Sequence, residues 1–333
     1  MRKIRYCVYT LPLGTITKES DQMKNKTVLL SILTLLFGFQ KLLGQNYLNY
    51  YQTINDAEIA HLDGNFQISD SLYRVSFNLV NKPFKEDYLL AAKNSEMLRD
   101  SERTYEYLRK AIANGLTFKR MKKQLSIFKK SNRWKIIKKE YDSLHNDYLK
   151  TLNIQLRSEI AEMVKNDQKA RTPIFGSWRK MRKIDSYNYN RLLEIIKQNN
   201  DKWPGFSVIG EITPRGKYDV TKNITLLPLH FRKEWIVQLK PYMLEAVLHG
   251  DMYPYQYARI IDYRIGSEEQ ENIVYKENNR VKISDRCNLY GTYLNVKVCD
   301  CEIAEIERKK IGFEPLEDYY RKVKGNYECL GNR

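Results

Sequence analysis

Residues 54–77 read INDAEIAHLDGNFQISDSLYRVSF, and residues 88–111 read YLLAAKNSEMLRDSERTYEYLRKA. At an offset of 34, Ile54, Ala57, Tyr73 and Phe77 recur as Tyr88, Ala91, Tyr107 and Ala111, and Tyr141 falls one period beyond Tyr107. Small residues where two helices cross, with an aromatic on the second helix, suit a helical hairpin that buries its apolar face only against its neighbours. The turn signals agree. Asp63-Gly64-Asn65 parts the first two helices, Pro83 parts the first unit from the second, and Asn114-Gly115 closes the second. No strand-type alternation interrupts 46–150, so this half is expected to be N-terminal helical-hairpin repeats.

The arrangement resembles the tetratricopeptide repeat class, with degenerate motifs over 46–115; an ordinary helical bundle is the alternative. The resemblance implies a surface for a protein partner. Lys119 to Lys139 then carries ten Lys or Arg residues and no acid. Met121, Leu125 and Phe128 share one helical face, which leaves the rest positive, and Trp134, Ile137, Tyr141, Leu144 and Tyr148 continue a stripe in the next helix. An anionic ligand or surface fits this run, although a solvated helix face is the simpler reading. Nucleic acid is not expected, because the aromatics do not interleave with the basic residues as a stacking platform requires.

The chain has 333 residues, 42% of them apolar, which suits about two domains with ordinary cores. The formal charge of +17 favours anionic partners. Met23-Lys24-Asn25-Lys26, the uncharged run Thr27 to Phe39, and Gly44 have the order of a secretory signal peptide over 23–45. Thirteen apolar residues are too few to span a bilayer comfortably, so an uncleaved membrane anchor is the second choice. Signals start at the initiator, which marks 1–22 as a gene-start artefact. Export to the periplasm or beyond is the expected localisation. Removing 1–22 (net +2) and 23–45 (net +3) leaves +12 and four cysteines.

Residues 151–333 read as an α-rich α+β domain. A helix from about Leu152 to Ala170 buries Ile160, Met163 and Val164, and Asp167 continues that face, with Arg171 one turn on. Asp185 or Ser186 is expected to cap a helix through Leu192 and Ile196 that ends before Trp203-Pro204. Helices follow over Trp235 to His249, with Pro241 inside, and from Pro254 through Asp262. Ile273 to Ile283 reads as an antiparallel hairpin about Asn278-Asn279. Cys287 to Cys301 is the best strand candidate, and further helices run from about Ala304 to Lys310 and after Pro315. The fold class is therefore mostly α, with a small antiparallel hairpin sheet.

Gly-rich phosphate loops, His-Glu-x-x-His, Gly-x-Ser-x-Gly and dinucleotide fingerprints are absent. Asp167-Gln168-x-x-Arg171, Trp203-Pro204, His230, Asp262 and Tyr290-Gly291-Thr292 occur in that order over about 150–320. The order resembles an uncharacterised bacterial domain-of-unknown-function family, which implies an α-rich domain and no established activity. Asn288 and Tyr293 stand where that family has glutamines beside Tyr-Gly-Thr. Asp167, His230 and Asp262 are the catalytic candidates, as an acid/base set. Arg171, Trp203, Tyr290 and Thr292 are the ligand-binding candidates. The simpler reading makes Asp167–Arg171 an i,i+4 ion pair and His230 a core histidine. A binding or interaction protein with a polar pocket is the leading functional expectation, and a hydrolase-like enzyme is the alternative.

Cys287, Cys299, Cys301 and Cys329 suit disulfides in an exported chain. The favoured pairings are Cys287–Cys301 with Cys299–Cys329, or Cys287–Cys299 with Cys301–Cys329; Cys299–Cys301 would be strained. Free thiols or a zinc site are the alternatives, but the Cys-x-x-Cys knuckle is missing. No metal and no cofactor is expected.

Overall fold

The computed structural model describes residues 46–172, 177–211, 216, 218, 223–269 and 287–330. Helix α1 (46–62) turns one face inward through Tyr50, Ile54 and Ala57, all buried. Burial of a large apolar side chain contributes roughly 1.5–3 kcal/mol, so this face anchors the helix. The chain reverses at Gly64 into α2 (Phe66–Ser76). Next come α3 (Lys85–Met97) and α4 (Ser101–Ala113), the latter capped by Asp100, whose side chain accepts from the Arg103 N–H. Helices α5 (Phe118–Gln124) and α6 (Asn132–Lys150) are capped by Thr117 and Ser131. Each such cap satisfies an otherwise orphaned N–H and stabilises by about 1 kcal/mol.

Bonds between residues close to one repeat period apart tie this half together. Tyr50 Oη accepts from the Phe84 N–H, His61 meets Asn94, Arg103 donates to Asp70, Arg120 to Glu86, and Tyr105 to Glu140. The aromatics join across the same interval. Phe77 packs on Tyr88 with ring centroids 4.2 Å apart and on Tyr107 at 5.6 Å. Within the basic run Met121, Leu125 and Phe128 are buried, but the helix ends at Gln124 and resumes at Asn132 after a 3-10 turn, Phe128–Lys130. Glu96 makes that break, since its Oε1 accepts the N–H groups of both Ile127 and Phe128 at 2.6 Å.

After residue 150 come α7 (Ile154–Ala170), α8 (Trp178–Gln198), α9 (Lys233–Leu248) and α10 (Pro254–Arg264). Helix α8 starts a full two turns before Asp185. Ser177 supplies the cap through the Lys180 N–H, and Asp185 lies inside the helix, held by Arg171. Pro241 sits within α9 without ending it. Helices α11 (Cys301–Lys310) and α12 (Leu316–Val323) complete the chain. The described residues belong to one compact unit with one continuous apolar core, bridged by bonds such as Tyr51 to the Val247 carbonyl at 2.6 Å.

The expected antiparallel hairpin sheet is not supported. Its hairpin lies outside the described residues. Among the described residues there is no regular strand, only isolated parallel bridges, Asn288 with Val298 and Val298 with Cys329. The stretch 287–301 does not form one strand. The N–H groups of Tyr290 and Thr292 are taken by the Asp262 side chain, not by a neighbouring strand. Gly291 between them has φ +70°, where an added Cβ would meet Leu316 at 2.7 Å. The bridges are fastened by two disulfides, Cys287–Cys299 and Cys301–Cys329, with Cα atoms 5.0 and 5.8 Å apart. This is the second of the two favoured pairings. The segment 23–45, expected to be a signal peptide, lies outside the described residues, and no described helix is long and apolar enough to cross a membrane.

Candidate functional site

The residues singled out by their order fall into two groups. In the first, Asp167 on α7 is buried and accepts from Arg171 Nη2 at 2.9 Å and from Gln168 Nε2 at 2.8 Å. Arg171 also binds Asp185 of α8. His230 Nδ1 lies 2.9 Å from Asp167 Oδ2, with the ring turned so that the approach is not an aligned hydrogen bond. Burial would raise the Asp167 carboxyl; His230 and Arg171 outweigh it and hold the group below the usual carboxylate range. Burial pushes the Asp185 carboxyl up, against Arg171.

In the second group, Asp262 on α10 accepts the Tyr290 N–H at 2.7 Å on Oδ1, and the Thr292 N–H and hydroxyl at 2.8 Å on Oδ2. Burial pushes the Asp262 carboxyl up to about 6, against these donors and Arg308. Arg308, fully buried on α11, donates to the carbonyls of Tyr290, Glu314 and Pro315 and lies 3.8 Å from the Phe313 ring centre. Among the described residues no hydrogen bond or ion pair joins the two groups. Trp203 belongs to neither; it is buried in the core after α8. The Tyr290 and Thr292 side chains are buried as well.

A cavity of about 650 Å³ lies elsewhere, against the hairpins. Helix α1 contributes Glu58, α3 contributes Glu86 and Lys93, α5 contributes Arg120, and α12 contributes Lys322. Its remaining walls include Leu62, Leu90 and the rings of Tyr73 and Tyr218. Lys322 Nζ lies 2.7 Å from Glu58 and also binds Asn55; both members of the Lys322–Glu58 pair are buried. Arg120 holds Glu86 Oε2 at 2.9 Å, and the other Glu86 oxygen is buried without a hydrogen-bond partner. Just below, Lys85 and Glu211 form a buried pair at 2.6 Å, and burial pushes the Glu211 carboxyl up despite Lys85. A charge kept in such surroundings costs several kcal/mol of desolvation unless paired. A second space of about 550 Å³ lies between α7 and α8, but Glu159 and Glu162 on its rim are already paired with Arg191 and Lys165.

Of the basic run, Arg120 and Arg133 are engaged by Glu86 and Glu102, whereas Lys122, Lys123, Lys135, Lys138 and Lys139 are exposed. The sequence reading did not single out Glu58, Glu86, Lys93 or Lys322. One signal was present: the 34-residue offset that aligns the aromatics also sets Arg120 one period after Glu86. No cluster of three or more metal-ligating side chains occurs among the described residues. No protein-family model, curated protein or solved structure matches this chain.

Proposed function

We propose that the protein is an exported binding protein whose helical-hairpin half, together with α12, holds a ligand in an open cleft. One observation carries this reading: four helices distant in sequence send charged side chains into a single space of about 650 Å³. Its size falls in the range typical of small-molecule sites, roughly 300–1,000 Å³. The two disulfides support an oxidising compartment. The period-spaced contacts of 46–150 support a relation to the tetratricopeptide class.

The Asp-Gln-x-x-Arg and Tyr-Gly-Thr patterns of the resembled family are then framework elements. In support, both carboxylates are buried, Asp167 beside Arg171 and His230 and Asp262 against the 290–292 turn. The test is binding of the uncharged fluorescent probe N-phenyl-1-naphthylamine to the full chain. Binding should fall sharply in Leu90→Trp and in Leu62→Trp, which fill the cavity from partly exposed positions, while the thermal midpoint stays near that of the wild type. Equal binding by all three proteins would rule the cavity out as the ligand site.

A further inference from the structure

Resting on the ligand-cavity reading, we infer that the occupant is an organic anion with one negative charge and an apolar body, its charge at Lys93 and its body along Leu62, Leu90 and Tyr73. The charge balance of the walls carries this inference. Glu58 is matched by Lys322 at 2.7 Å, and Glu86 by Arg120 at 2.9 Å. Lys93 is half-buried on the cavity wall and makes no ion pair or hydrogen bond among the described residues. Among the described residues, one positive charge is therefore left over on the cavity wall. A half-buried charge there attracts an opposite charge more strongly than it would on the open surface.

The same balance argues against other ligand classes. A dianion needs a second uncommitted cation, and the other cations on the described wall, Arg120 and Lys322, are both held by carboxylates. A cation would meet Lys93, and the described wall offers it no free carboxylate, because Glu58 and Glu86 are paired and the second Glu86 oxygen is buried. A neutral sugar needs many hydrogen-bonding groups, but Leu62, Leu90 and aromatic rings form much of the wall. His61 adds a ring edge and no free Nδ1, since that atom lies 2.9 Å from Asn94 Oδ1.

The experiment compares 1-anilinonaphthalene-8-sulfonate, which carries one negative charge, with N-phenyl-1-naphthylamine, which has a similar aromatic body and no charge. Both are titrated into the full oxidised chain at low salt, with dodecanoate as a displacing carboxylate. The wild type should bind the sulfonate at least about tenfold more tightly than the neutral probe, and dodecanoate should displace it. Lys93→Gln should lose about tenfold on the sulfonate and little on the neutral probe, and Lys93→Arg should keep the preference; a tenfold change is about 1.4 kcal/mol. Equal binding of the two probes by the wild type, or unchanged sulfonate binding by Lys93→Gln, overturns the inference while leaving the cavity reading intact. Sulfonate binding that survives Leu90→Trp belongs to the outer basic surface and also overturns it. Failure of both probes to bind removes the cavity reading itself.

Discussion

Thr292 gives Asp262 two hydrogen bonds at a single oxygen, from its N–H and from its hydroxyl, each 2.8 Å long. Together with the Tyr290 N–H on the other oxygen, one side chain of α10 thereby shapes a turn about thirty residues later in the chain.

This carboxyl makes stability depend on pH with a defined sign. Its folded pKa is raised to about 6, above the ordinary value of 3.8, so the folded state holds the proton more tightly. The contribution is complete below about pH 4 and is lost as pH rises through 6, an effect on the order of 3 kcal/mol. Asp262→Asn is always neutral. The stability of the wild type relative to Asp262→Asn, from urea unfolding, should therefore decline between pH 4 and pH 6. A constant difference would disprove the assignment.

Arg171→Met should leave Asp167 and Asp185 facing each other without their shared cation. A cost of about 3–5 kcal/mol at pH 7 is expected for breaking a buried charge pair on one side. The wild-type Asp167 carboxyl is held low, so its contribution is present at neutral pH and is lost on acidification. In the variant that sign should reverse, with stability partly recovered as pH falls towards 4. A parallel pH profile in the two proteins would show that Arg171 does not hold the site.

Glu96 on α3 holds the break between α5 and α6 through two amides at 2.6 Å. Glu96→Ala should cost about 3 kcal/mol and Glu96→Gln about 1 kcal/mol, since the amide oxygen can still accept but without the charge. Hydrogen exchange at Ile127 and Phe128 gives a local readout: both amides should exchange faster in Glu96→Ala. Unchanged protection there would place the helix break in the sequence 125–131 alone.

The Cys301–Cys329 bond closes a 28-residue separation and fixes the tail beside Val298. The double variant Cys301→Ser with Cys329→Ser should lose about 3 kcal/mol. Peptide mapping of the non-reduced protein should find Cys287 with Cys299 and Cys301 with Cys329. Recovery of Cys287 linked to Cys301 would contradict the fold of this segment.

Much of the helical frame was legible in the sequence, because apolar periodicity and capping act over a few residues. Tyr73, Tyr107 and Ala111 could be placed from their spacing, as could the burial of Asp167, four residues after Met163. The start of α8 was not, because Ser177 and Asp185-Ser186 offer equivalent caps and only Arg171, from another helix, shows why Asp185 is internal. Tyr290 to Val298 has the composition of a strand, yet its amides are claimed by Asp262, which no local propensity encodes. The cavity was least visible of all. Lys322 reads as one more surface lysine until α12 brings it to Glu58.

Lys322 also reaches Asn55 across 267 residues, so the last helix completes a wall that the first helix begins. During synthesis the hairpins can form in turn as they emerge, because their contacts are local. The full set of cavity walls cannot, since α12 is made last. A nascent chain halted before residue 316 would lack the α12 wall and with it the Lys322–Glu58 pair. Synthesis of α12, more than any single contact, is the event that supplies the last wall of the cavity.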